Sequence, residues 1–142
     1  MIEKVFSLSS ALVMPFWFLM IIFPHWRWTN RVMQSVLVFV PVAVLYALLV
    51  LPRFGDIFIE VVNPSLSSIS ALLGTPDGAT IGWVHFLAFD LFVGRWVYLD
   101  GRENSISAWI MAPVLFFCLM LGPIGLLLYL SVRLAYIRKQ QH

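Results

Sequence analysis

Three ionisable residues, His85, Asp90 and Arg95, stand inside an otherwise largely apolar run from Trp83 to Leu99. An imidazole, a carboxyl and a guanidinium can together take up a proton, return one, and steady an oxyanion with a fixed cation. The setting is unfavourable for all three. A central Asp or Arg in a membrane helix costs about 2.5–3.5 kcal/mol on insertion scales, and such residues mark functional sites by default. Arg95 has a stem long enough to snorkel towards the headgroups, whereas the short side chain of Asp90 cannot.

On a helix, a spacing of five sets two groups about 140° apart around the axis and about 7.5 Å apart along it. Neither His85–Asp90 nor Asp90–Arg95 therefore makes a good chelating or ion pair, for which spacings of three or four are useful. Asp90 shares a face with Trp83, Phe86, Gly94 and Val97, and Arg95 shares one with Ala88, Leu91, Tyr98 and Arg102. Asp90 must then meet a neighbouring helix, meet a water-filled cavity, or stay protonated. A structural reading competes with the catalytic one. In it, Asp90 and Arg95 clamp the bundle through hydrogen bonds to Gln34, Ser35, Tyr46 or carbonyls freed by Pro41 or Pro113. His85, near a helix end, reads more simply as an interfacial polar residue.

The elements that position these groups are membrane helices. Of the 142 residues, 61% are hydrophobic and 11% charged. Soluble domains run at about 45–50% and about 25%. The fold class is all-α, because lipid offers no partner to an unpaired backbone group. Four spans are expected, at about 5–23, 32–51, 83–99 and 108–130, each near the roughly 20 residues a bilayer core requires. They form a single integral membrane domain over residues 1–142, a four-helix bundle. Pro15, Pro41, Pro113 and Pro123 should each kink a helix.

Between the second and third spans, "NPSLSSISALLGTPDGAT" predicts a short amphipathic interfacial helix over about 64–73. Asn63 is its expected N-cap, Pro64 its first residue and Gly74 its stop, with Thr75–Gly78 as a tight turn. Trp26, Trp28, Trp83, Trp96 and Trp109 fall near span ends, as an aromatic belt does. Cys118, the lone cysteine, sits in an apolar run and reads as a packed thiol.

Several chemistries are excluded by what the chain lacks. Asp100 and Glu103 have chelating spacing, but "DGREN" reads as a solvated turn, and no HExxH or paired ExxH motif occurs, so no metal is expected. No GxGxxG or Walker pattern occurs, and no basic stripe with interleaved aromatics, so neither a nucleotide cofactor nor nucleic acid is expected. With four spans, Lys4, Arg53, Arg133, Arg138 and Lys139 lie on the side of the termini, and Arg27, Arg31 and Arg102 on the other. That excess favours cytoplasmic termini, although the first helix alone argues the reverse.

The block "HFLAFDLFVGRWVYLDGRENSISAW", followed by "APVLFFCLMLGPIGLLLYL", with "PFWFLMIIFP" and "LLGTPDGA", resembles the abscisic-acid-deficient 4 family of plants, algae and cyanobacteria. The resemblance covers nearly the whole chain. It implies a small four-span membrane protein of carotenoid biosynthesis, neoxanthin synthase-like. Without the N-terminal extension that plastid import requires, the chain is similar to the prokaryotic members, in a bacterial plasma membrane or a thylakoid membrane. The implied step turns violaxanthin into neoxanthin, an isomerisation in which an epoxide opens to a hydroxyl while a vinylic proton leaves. It exchanges no electrons, so no redox cofactor is expected. For such a step Asp90 would be the acid, His85 the second proton carrier and Arg95 the cation beside the developing alkoxide. Trp83, Phe86, Trp96 and Tyr98 would hold an end ring of a carotenoid or another isoprenoid lipid. The alternative is a non-catalytic carotenoid- or lipid-binding protein that assembles with a pigment enzyme or photosynthetic complex. Gly122 and Gly125 would allow the close helix approach of a homo-oligomer.

Overall fold

Long helices joined by tight connections make up the chain, as a computed structural model describes it over residues 1–140. In order they are α1 (Ile2–Ile22), α2 (Arg27–Gln34), α3 (Val40–Val50), α4 (Phe54–Val62), α5 (Leu66–Leu73), α6 (Pro76–Glu103) and α7 (Ala108–Gln140). Short 3-10 turns occupy Val36–Phe39 and Leu51–Arg53. No strand occurs among the described residues.

Three helical stretches are long and apolar enough to cross a membrane: Ile2–Ile22, Val36–Val62 and Ala108–Lys139. The expected third span, 83–99, lies within α6 but does not reach that standard, because its ionisable residues dilute the hydropathy. The second apolar stretch is also displaced from the expected 32–51. The helix ends at Gln34, Ser35 adopts an extended conformation, and the apolar stretch then continues beyond Leu51 through Pro52 and α4. The proline falls in the 3-10 turn that links α3 to α4, where its missing N–H is tolerated.

The chain divides into two units, one formed by Met1–Val13 with Val40–Ala88, the other by Met14–Phe39 with the chain from Phe89 onward. In the first unit, Phe6 stacks on Trp83 with ring centroids 5.4 Å apart. The Trp83 indole donates to Ser10 Oγ at 3.2 Å. The short helix expected over 64–73 is α5, but its cap is Ser65, not Asn63. Ser65 Oγ accepts from the Ser68 backbone N–H at 3.1 Å while Ser68 Oγ accepts from the Ser65 N–H at 3.2 Å, a reciprocal capping box. Gly74 follows as the C-cap. Thr75–Gly78 is not a free turn, since Pro76 already opens α6, where a first-turn proline is favoured. Asp77, one residue on, pairs with Arg53.

The second unit buries Trp17, Met20, Met33, Leu91, Val97, Leu115, Cys118 and Tyr129. Its α6 ends in a Schellman motif: the Ser105 N–H donates to the Arg102 carbonyl and the Ile106 N–H to the Gly101 carbonyl. Ser105 holds φ 54°, the left-handed conformation usually given to glycine. "DGREN" is thus the last helical turn and its cap, not a solvated loop. Helical dihedrals continue through Pro15 in α1, whereas α7 breaks at Leu121 (φ −143°, ψ 56°), two residues before Pro123. The proline removes one backbone bond and crowds the carbonyl four residues back.

Candidate functional site

The break in α7 is where Asp90 meets its surroundings in the second unit. A Cβ on Gly122 would collide with the Asp90 carboxyl, so the acid lies directly against the interrupted backbone. The bend is sharp. A Cβ on Gly125 would collide with the backbone of Cys118, yet residues seven apart in a straight helix are about 10 Å apart. No hydrogen-bond donor among the described residues reaches the Asp90 carboxyl, and it makes no ion pair there. An uncommitted carboxyl on α6 thus lies against Gly122, next to the break in the apolar helix α7.

Arg95 is engaged elsewhere. Its Nε donates to the Met33 carbonyl and its Nη2 to the Gln34 carbonyl at 3.0 Å. These are the last carbonyls of α2, which no residue of that helix can satisfy, and a cation at a helix C-terminus also meets the negative end of its dipole. The guanidinium lies over the Phe39 ring at 5.5 Å. Tyr98 is buried, and its hydroxyl donates to the Pro24 carbonyl at 2.7 Å, an acceptor shared with Arg102 at 2.7 Å. Trp96 stands perpendicular to Tyr129 with centroids 5.4 Å apart. Asp90, Arg95, Trp96 and Tyr98 therefore belong to one unit. His85, Trp83 and Phe86 belong to the other, where the His85 ring lies 5.6 Å from that of Tyr46 and meets Phe86 edge-on.

Two further groups in the second unit escape a reading of the sequence. The first is a polar cluster around Asp100. Arg133 Nε donates to its Oδ2 at 2.6 Å, Asn104 Nδ2 donates to the same oxygen at 3.2 Å, and the Tyr129 hydroxyl also donates to it. Asp100 directly follows the apolar run 83–99. Desolvation pushes its carboxyl up, but the hydrogen bonds from Arg133 and Tyr129 and the Arg133 charge outweigh this and hold it below the usual carboxylate range. The sequence signal was present in Arg133, a cation that follows the last apolar run and needs an anion. The second group is Trp17, mid-helix in α1 and 1% exposed, whose indole Nε1 has no hydrogen-bond partner. A Cβ on Gly94 would collide with its six-membered ring. Its signal was position, since the other five tryptophans sit near the ends of apolar runs.

No cluster of three or more potential metal-ligating side chains occurs among the described residues.

Comparison with known proteins follows the same outline. The profile of a family described as ABA DEFICIENT 4-like matches residues 4–129. The chain is 29% identical over 130 residues to the protein ABA DEFICIENT 4, chloroplastic, of Arabidopsis thaliana, covering 87% of this chain. It spans 58% of the length of that relative. No solved structure matches. The apolar helices make this a membrane protein, and the match along most of its length places it: the chain belongs to the ABA DEFICIENT 4-like family.

Proposed function

We propose that this is a multi-pass membrane protein of carotenoid metabolism that isomerises an epoxide on the end ring of a carotenoid or related isoprenoid. The observation that carries the reading is Asp90, whose carboxyl lies against the break in α7 with no donor or cation committed to it among the described residues. In the reaction the epoxide C–O bond breaks and its oxygen gains a proton, while a vinylic C–H bond breaks and its electrons shift to form the allene. One proton enters and one leaves, so the step is redox-neutral and asks for an acid and a base alone. Asp90 supplies the acid. His85, five residues earlier in the sequence, is the second proton carrier of this reading. Arg95, engaged with the carbonyls of α2, steadies charge from that fixed position.

The same reading takes α6 as a fourth span over 83–99, its charges tolerated because they turn away from lipid. It keeps residues 1–142 as a single membrane domain with both termini on the cytoplasmic side or its equivalent. Of the aromatic residues expected to hold the end ring, Trp96 is exposed and in the same unit as Asp90 and supplies aromatic surface for it, whereas Tyr98 is buried with its hydroxyl on the Pro24 carbonyl.

Expression in a host that makes violaxanthin, followed by chromatography of its pigments, tests the chemistry. An allenic product that disappears in Asp90→Asn, with the folded yield retained, is the expected result. Unchanged carotenoid co-purifying with the wild-type protein would replace the isomerase with a non-catalytic carotenoid-binding protein. Neither product nor bound pigment would remove carotenoid from the reading altogether.

A further inference from the structure

Among the described residues of the second unit, the Trp17 indole and the Thr29 hydroxyl are buried without a hydrogen-bond partner. The half-buried Asp90 carboxyl on α6 accepts no hydrogen bond there, and the indole and the carboxyl are complementary. Trp17 is 1% exposed and its Nε1 lacks an acceptor. An indole N–H can only donate, and a carboxyl accepts through its carbonyl oxygen whether or not it carries the proton it gives as an acid. Asp90 lacks a donor, and the Trp17 ring presses on Gly94, one turn beyond Asp90 on α6. Leaving a buried donor unpaired is unfavourable, and the great majority of buried polar side chains have partners. The group that satisfies both at once must itself accept and donate. Within an apolar helix environment, the smallest such group on a lipid-soluble molecule is an alcohol.

We infer that Trp17 and Asp90 hold one hydroxyl group of an isoprenoid ligand between them, the indole N–H donating to its oxygen and its own proton donated to the Asp90 carboxyl. The inference rests on the carotenoid reading for the class of ligand, and it assigns Trp17 a binding role that the sequence did not suggest. Gly94 and Gly122 make the arrangement sterically feasible. The first admits the indole against α6, and the second admits the carboxyl against the break in α7. The site selects for a hydroxylated end ring and leaves a hydrocarbon ring with two polar groups unmatched.

The test is a competition in detergent. The purified full-length chain is incubated with equal amounts of a ring-dihydroxylated carotenoid and the corresponding hydrocarbon carotenoid, and retained pigment is separated by size exclusion and quantified by chromatography. The wild type is expected to retain the dihydroxylated form in about tenfold or greater excess, since sites built to bond a hydroxyl reject analogues lacking it. Trp17→Phe keeps an aromatic ring on Gly94 but removes the N–H, and should bring the ratio close to one. Asp90→Ala should do the same and carries the test if Trp17→Phe does not fold. Equal retention by the wild type, or a ratio unchanged in both variants, would overturn the inference and leave the two groups to bridging water. Hydroxyl selectivity without any isomerised product would refute the isomerase and leave this site standing. Product formed without selectivity would do the reverse.

Discussion

Asp90 and Asp100 sit ten residues apart on α6 and within the same unit, and their surroundings are opposite. Asp100 is closed off by Arg133, Tyr129 and Asn104, so its oxygens are spoken for. Asp90 faces an interrupted helix and has no donor among the described residues. Satisfied polar groups of this kind rigidify a structure, while unsatisfied ones call for an explanation such as catalysis or a ligand. Arg95 stands between the two, since its guanidinium closes the C-terminal end of α2 and any part it takes in the proposed reaction is taken from that fixed position. The difference teaches that charge inside an apolar run does not by itself identify a site. What the charge already touches decides the matter.

The comparison can be broken most directly at Asp100. Asp100→Asn should clearly lower the unfolding temperature in detergent, because Arg133 loses its ion pair and Tyr129 and Asn104 lose a charged acceptor. Asp90→Asn should leave thermal unfolding in detergent nearly unchanged while abolishing the chemistry. Equal destabilisation by the two would erase the distinction. A smaller effect is expected at Gly122→Ala, where the new methyl meets the Asp90 carboxyl. Overpacking of this kind costs about 1–3 kcal/mol, and Asp90→Ala in the same chain should restore most of the loss. A double-mutant cycle measured by thermal unfolding reads the coupling, and strict additivity would mean the two do not touch. Ser105→Gly should stabilise by about 1 kcal/mol, the penalty an L-residue carries in the left-handed region. A loss of stability there would show that the hydroxyl contributes more than the backbone strain removes.

Acid should sharpen the contrast last and least. The folded-state pKa of Asp100 is lowered, so its contribution is fully present above the unfolded value near 4. It is lost as pH falls through the folded value. Wild-type stability should decline across that acid window, and the decline should be shallower in Asp100→Asn. Identical pH profiles would remove Asp100 from the account.

Much of the helical plan was legible because it depends on local patterns. Long apolar runs reveal membrane helices directly, and Ser65, Leu66 and Ile69 announce α5 even though the wrong residue was expected to cap it. Asn63 and Ser65 are both good caps, and only the bond from the Ser68 N–H distinguishes them. Prolines proved unequal for the same reason. Pro15 sits in continuous helix while Pro123 accompanies a break, and neighbouring Gly122 and Gly125 supply the room that Pro15 lacks. Tyr98 looked available for a ligand, yet its hydroxyl is committed to the Pro24 carbonyl, a partner 74 residues away in the chain.

The sequence by itself determined that this is an all-helical membrane protein, where most helices run, and that Asp90 is out of place in an apolar setting. Those conclusions follow from hydropathy and periodicity, which are properties of neighbouring residues. Tertiary structure alone decided that Arg95 ends α2, that Arg133 and Tyr129 enclose Asp100, and that Asp90 and Trp17 remain uncommitted. Each of these depends on a bond made or left unmade between distant segments, and pairing at a distance leaves no periodic trace in the chain.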